Sequence, residues 1–543
     1  MRRFLALVLA LSMILAVALF AGCGNDTPET TTTASAKPVE TTSGTETTPT
    51  DSEKETTTAN TKPGETTTEG NQGGESTTPA ENTTETDQGG EDIGGGTSLE
   101  GFDGYTKLPG YEDIDFGGRT FVICGGIETT DVMNTDQEIY SDETDAIHTA
   151  VRERNLLVER LYNCNIELLA VETPGATAAA DVTGNQHTID IYSAMYLSAG
   201  AYTGDQIYNL YNLGINFENP WWDQNFVDTF TFDVNGTPAM YSAIGDFSLT
   251  ANDSIYVLFY NKDVYESSPV CNKYDIYQLV RDMKWTMDIF MEMAKDVKRD
   301  ANGDSTYNYT DGDILGWIRT GHATHALHVA SNMRIVDNVD GKFVFSPSAE
   351  VTAWSTVIDQ AINVWNAEGN QTISYSDIAP TIVADQTLFA SEILGAAERC
   401  KDDDVSLALV PYPLYNENQL AYANYVDNHK CDYMIPISVP DPENVATFFE
   451  LYTCHSRYTV RKAFIETFKV EYFCDEESGE MLDLILDNRT YDPGYLWWSA
   501  YETDIGNMIS GGKNTITQWV AKKGANLTKN FDEFFTNLYD NEN

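Results

Sequence analysis

The stretch TPAMYSAIGDFSLTANDSIYVLFYNKDVYE, Thr237–Glu266, decides the architecture. It opens as a strand, turns polar at Gly245-Asp246 and Asn252-Asp253-Ser254, becomes apolar through Ile255–Tyr260 and ends on Tyr260-Asn261-Lys262-Asp263. Two β-rich runs around a polar seam mark a chain that leaves one lobe and enters a second. The seam is too short for a domain linker, so the lobes it joins are expected side by side with a cleft between them.

Upstream, Arg119–Cys124 reads as a strand ending in Gly125-Gly126, and Ile147, Val151, Leu157 and Leu161 recur at helical spacing with Arg152 and Glu153 outward. Ile166–Val171 and Ile189–Met195 read as further strands. Strand, helix and strand with short connections predict a parallel α/β unit with right-handed crossovers. Ligands of such sheets sit beyond the carboxyl ends of the strands. That rule points to Gly125–Glu128 and Tyr196–Tyr202, with Tyr196 as a candidate contact.

Downstream, Thr286 is placed to cap a helix whose core face is Ile289, Phe290, Met293 and Val297. Phe343–Phe345 predicts a strand, Val351–Trp365 a helix and Val405–Pro411 a buried strand. Asp432–Ile437 looks like the return crossing, Val445–Ser456 a helix back in the first lobe and Glu480–Asn488 a last helical stretch.

The apolar run ending in Tyr260-Asn261-Lys262, followed by the Trp285-Thr286 helix start, resembles the first interlobe crossover of the bacterial extracellular solute-binding proteins of the maltose-binding type. Met481-Leu482-Asp483 and Arg489-Thr490-Tyr491-Asp492 resemble the C-terminal signature of Clostridia-type members. The resemblance spans about Phe116 to Phe534. It implies an α/β, two-lobed, periplasmic-binding-protein-like class II fold with an interlobe cleft and a hinge near Asp246–Ala251 and Asp427–Tyr433. It further implies a receptor that hands its solute, a carbohydrate, to an ABC permease.

The N-terminus fits that class. Arg2 and Arg3 precede the apolar run Phe4–Phe20, which closes on Phe20-Ala21-Gly22-Cys23. This resembles a lipobox, so residues 1–22 are expected to be a lipoprotein signal and Cys23 the lipidated residue. Residues 23–100 are rich in Thr, Glu and Gly with almost nothing to bury, which predicts a disordered tether. Lobe 1 is expected over 101–250 with 433–470, and lobe 2 over 251–432 with 471–543. The lipid is the expected membrane attachment and the folded part an expected monomer.

A net charge of −52, from 84 acidic against 32 basic residues, argues against nucleic acid or an anionic surface as a partner, because phosphate binding requires Lys and Arg. Apart from Cys23, seven scattered cysteines without a CxxC argue against a zinc ribbon or thioredoxin-like chemistry. No GxSxG, HExxH, phosphate loop or Rossmann fingerprint occurs, so the expectation is a binding protein and not an enzyme. The alternatives are a surface glycoside hydrolase or other polysaccharide-acting enzyme, or a glycan-binding adhesin without transport.

Sugar clefts pair aromatic faces with carboxylates and amides. The candidate ring donors are Trp221, Trp222, Trp317 and Trp497; in the pair after Asn219-Pro220, one ring is expected to anchor the loop while its neighbour, with Trp222 favoured, faces the cleft. The polar candidates are Asp246, Asn252, Asp253 and Ser254, of which Ser254 falls where the resemblance places a sugar-contacting carboxylate. His322 and His325 are candidate cleft hydrogen-bonders. With His328 they lie three apart, which on a helix spreads them over an arc of about 120°, whereas zinc sites favour an i, i+4 pair. Asp300, Asn302, Asp304, Thr306, Asn308 and Asp311 resemble a calcium loop and are its candidate ligands, with Ser305 in place of the turn glycine. No other cofactor is expected.

Overall fold

The structure is a computed structural model and describes residues 106–127, 135–195 and 206–542. Cys23, the tether and Tyr196 lie outside the described residues.

Strands β1 (Arg119–Gly126), β2 (Cys164–Val171) and β3 (Ile191–Ala194) form the first sheet. β1 pairs in parallel with β2, Arg119 opposite Cys164, and with β3, Ile123 opposite Ile191. Strands β4 (Tyr256–Asn261), β5 (Leu315–Arg319), β6 (Asn370–Thr372), β7 (Thr387–Ile393) and β8 (Leu407–Val410) form the second, in the order β6-β5-β7-β4-β8. β4 is buried throughout, as a near-continuous apolar run should be when both faces of its sheet are covered. Strand β9 (Asp432–Met434) completes the first sheet in the order β9-β3-β1-β2.

The two sheets exchange strands. β4, which follows the crossing from lobe 1, runs antiparallel to both of its neighbours in lobe 2. β9, which follows the crossing back, runs antiparallel to β3 in lobe 1, and Ala243 bridges to its outer edge at Tyr433. Each lobe therefore holds one reversed strand delivered by the other, and this is the two-lobed, class II α/β arrangement that the resemblance implied. The described residues all belong to one compact unit.

Helix Ala146–Tyr162 covers the first sheet; Asp145 caps it by accepting from the His148 amide, and Asn163 ends it in the left-handed region at φ 52°. Phe121 stacks on Phe448 of helix Pro442–Tyr458 in the lobe 1 core, with ring centroids 4.0 Å apart. Helix Met287–Val297 buries Phe290, Met293, Ala294 and Val297 in lobe 2. Its N-cap departs from expectation: the Thr286 side chain makes no cap bond, because that residue is buried and bridges through its backbone to Leu414.

After lobe 1 helix Val460–Thr467, the Cys474 amide donates to the Leu407 carbonyl, and helix Glu476–Asp487 packs on β8. Arg489–Thr490 pairs with Asn424–Tyr425 beside the crossings. Helices Ser499–Ser510 and Ile516–Glu542 pack on helix Val351–Trp365. Among the described residues no helix is long and apolar enough to cross a membrane.

Candidate functional site

The parallel strands β5 and β7 deliver their carboxyl ends to the crossings between the lobes. β5 ends in Arg319-Thr320-Gly321-His322, β7 in Glu392-Ile393. The corresponding ends of β1 and β3 lead into 128–134 and 196–205, outside the described residues.

Beside the return crossing sits a cluster of rings and carboxylates. Tyr256 stacks on Tyr425 at 5.8 Å, and Tyr425 meets Tyr495 at 5.6 Å and His325 at 6.0 Å. His322 lies 6.0 Å from His325 and 6.4 Å from His429 between ring centroids. His429 is bonded to the buried Asp427. Burial works against the charge on Asp427, but this bond and the positive ring hold its carboxyl below the usual range. The same bond raises His429. Burial pushes the neighbouring Glu392 up to about 7, even though Ile393 donates its amide to it.

A cavity of about 320 Å³ opens between the lobes next to helix Leu249–Asp253. Glu143, His148 and Phe464 line it from lobe 1; Asp253, Glu398 and Lys401 line it from the crossing and lobe 2. Burial, reinforced by Glu138 and Glu398, pushes the Asp253 carboxyl up to about 7. A pocket with that mixture can hold a polar solute by hydrogen bonds through neutral and charged carboxyls alike.

Of the residues expected at a site, Asp253 lines the cavity, and His322 and His325 sit in the ring cluster. The tryptophans go elsewhere. Trp221 and Trp222 are both buried in lobe 1, so neither ring projects. Trp221 Nε1 donates to Glu450 at 2.7 Å, and Trp222 is wedged between Phe217 and Phe449. The cause is that the pair does not stand in an open loop: Trp222 bridges to Gly245 and Trp221 carbonyl accepts from Asp246. Trp317 lies in the lobe 2 core, donating to Ser391 at 2.7 Å with Arg319 over its ring at 4.2 Å. Trp497 is packed among Phe230, Phe343 and Phe534.

Two polar candidates are likewise spoken for. Asp246 pairs with Arg457 at 2.9 Å and Arg461 at 3.1 Å, and Asn252 accepts from Arg489 at 2.8 Å. Ser254 is fully buried in the outward crossing. In the acidic loop, Asp300 accepts from the Gly303 and Ser305 amides, Asn302 from Asp304, Asp304 from Thr306 and Asn308 from Thr310. These are Asx-type turns that use the oxygens locally. Buried Asp313 closes the loop by accepting from Ala301 and Asn308. Asp311 is exposed, and the loop is not among the described groups whose donor atoms converge on one point.

Sequence reasoning missed as members of the ring cluster Glu392, Asp427, His429 and Glu502, whose Oε1 lies 2.8 Å from His325 Nδ1. The polar run Asp427-Asn428-His429-Lys430 ahead of the return strand was a usable signal; Glu392, inside a strand, and Glu502, on a distant helix, offered none.

No protein-family model matches the chain, and neither does any curated protein. Among solved structures, it is similar to M. tuberculosis UspC, at TM-score 0.49 and 13% identity over 75% of this chain and 98% of that one. It is similar to the ABC substrate-binding protein Lmo0181 from Listeria monocytogenes in complex with cycloalternan, at TM-score 0.45 and 12% identity over 76% and 99% of the two chains. It is also similar to maltose-bound T. maritima MalE3, at TM-score 0.42 and 11% identity over 78% and 98%.

Proposed function

We propose that this protein is a receptor that captures a carbohydrate between its two lobes and hands it to an ABC permease, anchored outside the cell membrane through a lipid on Cys23. The observation that carries the reading is the reciprocal strand exchange, with a cavity lined from both sides of the crossings. Two lobes joined by short crossings can close on a solute by a few dihedral changes near the crossings. The polar lining supports a hydroxyl-rich ligand, and the carboxyls of Glu143, Asp145, Asp253, Glu398 and Glu471 beside Lys401 argue against an anionic one.

The test is a thermal-shift and calorimetric screen of mono- and oligosaccharides against the purified full chain. A ligand that binds only the folded state raises the melting temperature in proportion to the logarithm of its concentration over Kd. Saturable binding without turnover supports the receptor. Turnover of a bound oligosaccharide replaces it with the polysaccharide-acting enzyme, a reading favoured by one observation: Asp253, with its raised carboxyl, faces the same cavity as Glu398.

A further inference from the structure

We propose that His322, His325 and Glu502 form a binding site for a divalent transition metal of the zinc type at the carboxyl edge of lobe 2. His322 follows strand β5, His325 lies in helix Ala323–Val329, and Glu502 comes from helix Ser499–Ser510 of the C-terminal segment. One donor atom from each lies within 4.8 Å of the other two. Tetrahedral zinc with bonds of 2.0–2.1 Å separates its donors by about 3.3 Å, so the three need to close by about 1.5 Å at most. His322 is exposed and has the freedom to do so.

The buried half of the site is already built. His325 Nδ1 stands 2.8 Å from Glu502 Oε1, and both side chains are about nine-tenths buried, at 9% and 10% exposure. Yet that nitrogen has no hydrogen-bond partner of proper alignment. His325 Nδ1 and Glu502 Oε1 are thus two donor atoms of metal-ligand type held side by side in a buried place, where a bound cation would engage both. Nδ1 is the nitrogen that faces Glu502, and Nε2 lies toward Gly506, where a Cβ would stand 3.3 Å from it.

The third histidine of the run takes no part. His328 Nδ1 is bonded to the Tyr495 hydroxyl at 2.5 Å, and burial keeps it neutral. Glu502 supplies the ligand that the spacing of three along the chain could not. His429, held by Asp427, stands next to His322, with ring centroids 6.4 Å apart. A carboxylate on a histidine is how metal sites orient their rings. Two imidazoles and one carboxylate suit zinc and its neighbours over calcium or magnesium, and leave a position for water or solute. The other converging group, Glu143, Asp145 and His148, lacks this character: Asp145 is engaged as a helix cap and both carboxylates are exposed.

The site stands independently of the carbohydrate reading, since its test contains no sugar. The full chain, free of any histidine tag and stripped with a chelator, is titrated with Zn²⁺ by calorimetry and with Co²⁺ by visible absorption. One equivalent is expected to bind, and His322→Ala and Glu502→Gln are each expected to weaken it by at least about tenfold. Melting curves of the metal-free variants distinguish ligand loss from misfolding, His322 being exposed. Absence of a saturable equivalent, or wild-type affinity in either folded variant, overturns the assignment.

Discussion

The amide of Asp427 donates to the carbonyl of Ser254 at 2.9 Å, so the return crossing is tied to the outward one. Ile255 and Val426 bridge alongside. The two paths between the lobes therefore move as a pair, and carboxyl groups gathered around them feel both lobes.

Stability should fall as pH rises from 5 to 8. Burial pushes Glu138, Asp253 and Glu392 up to about 7. Each folded-state value lies above the unfolded one, so the folded chain binds more protons over this window. The stability involved is complete below the ordinary carboxyl range and is lost as pH passes through about 7. Urea midpoints at both pH values check the sign; Asp253→Asn should flatten the slope and raise the midpoint at pH 8. A wild-type midpoint higher at pH 8 than at pH 5 would contradict it.

Trp221→Ala and Trp222→Ala should both cost stability, about 3–5 kcal/mol each as buried large-to-small changes. The first also leaves the buried Glu450 without one of its donors. Solute affinity of the folded fraction should be unchanged in both, as titration below the melting range would reveal.

Gly245→Ala should destabilise strongly. A Cβ at this position would lie 2.5 Å from Thr453 Cγ2 and 2.7 Å from the Trp221 carbonyl oxygen. The carbonyl belongs to the backbone and cannot rotate away, so the crossing itself has to shift, at about 1–3 kcal/mol or more. Chemical denaturation of the variant measures this; an unchanged midpoint would mean that the crossing is pliant here.

Cys23→Ser should release the protein from the membrane fraction into the medium with unaltered solute affinity. Protein that remained membrane-bound would require a second anchor.

The elements were legible where pattern and burial agree. Val351–Trp365 is a helix over the span expected of it, and Ile255–Tyr260 became β4 with a shift of one residue. The polar seam in between hides a short helix, Leu249–Asp253, capped by Ser248 through a bond to the Ala251 amide. The site was harder to read because tryptophan in a turn-rich stretch looks available until its partner is known. Glu450, from a helix far along the chain, draws Trp221 inward. Likewise His325 and Glu502 meet through tertiary packing alone, and neither carries a local mark of the other.

The hairpin of Phe232–Val234 and Thr237–Ala239 leaves lobe 1 and lies on the C-terminal helix. Phe232 packs edge-on to Phe343 and Phe534, and the Asp233 amide donates to Gly341, where a Cβ would stand 2.4 Å from the Asp233 nitrogen. This fit leaves no slack, and parting it would expose a continuous run of rings. With closure taken up at the crossings, the hairpin and the C-terminal helix are expected to move together. Spin labels set beside Phe232 and on Ile516–Glu542 should keep their separation when solute is added, while labels on opposite sides of the cavity, beside Glu143 and Lys401, change theirs.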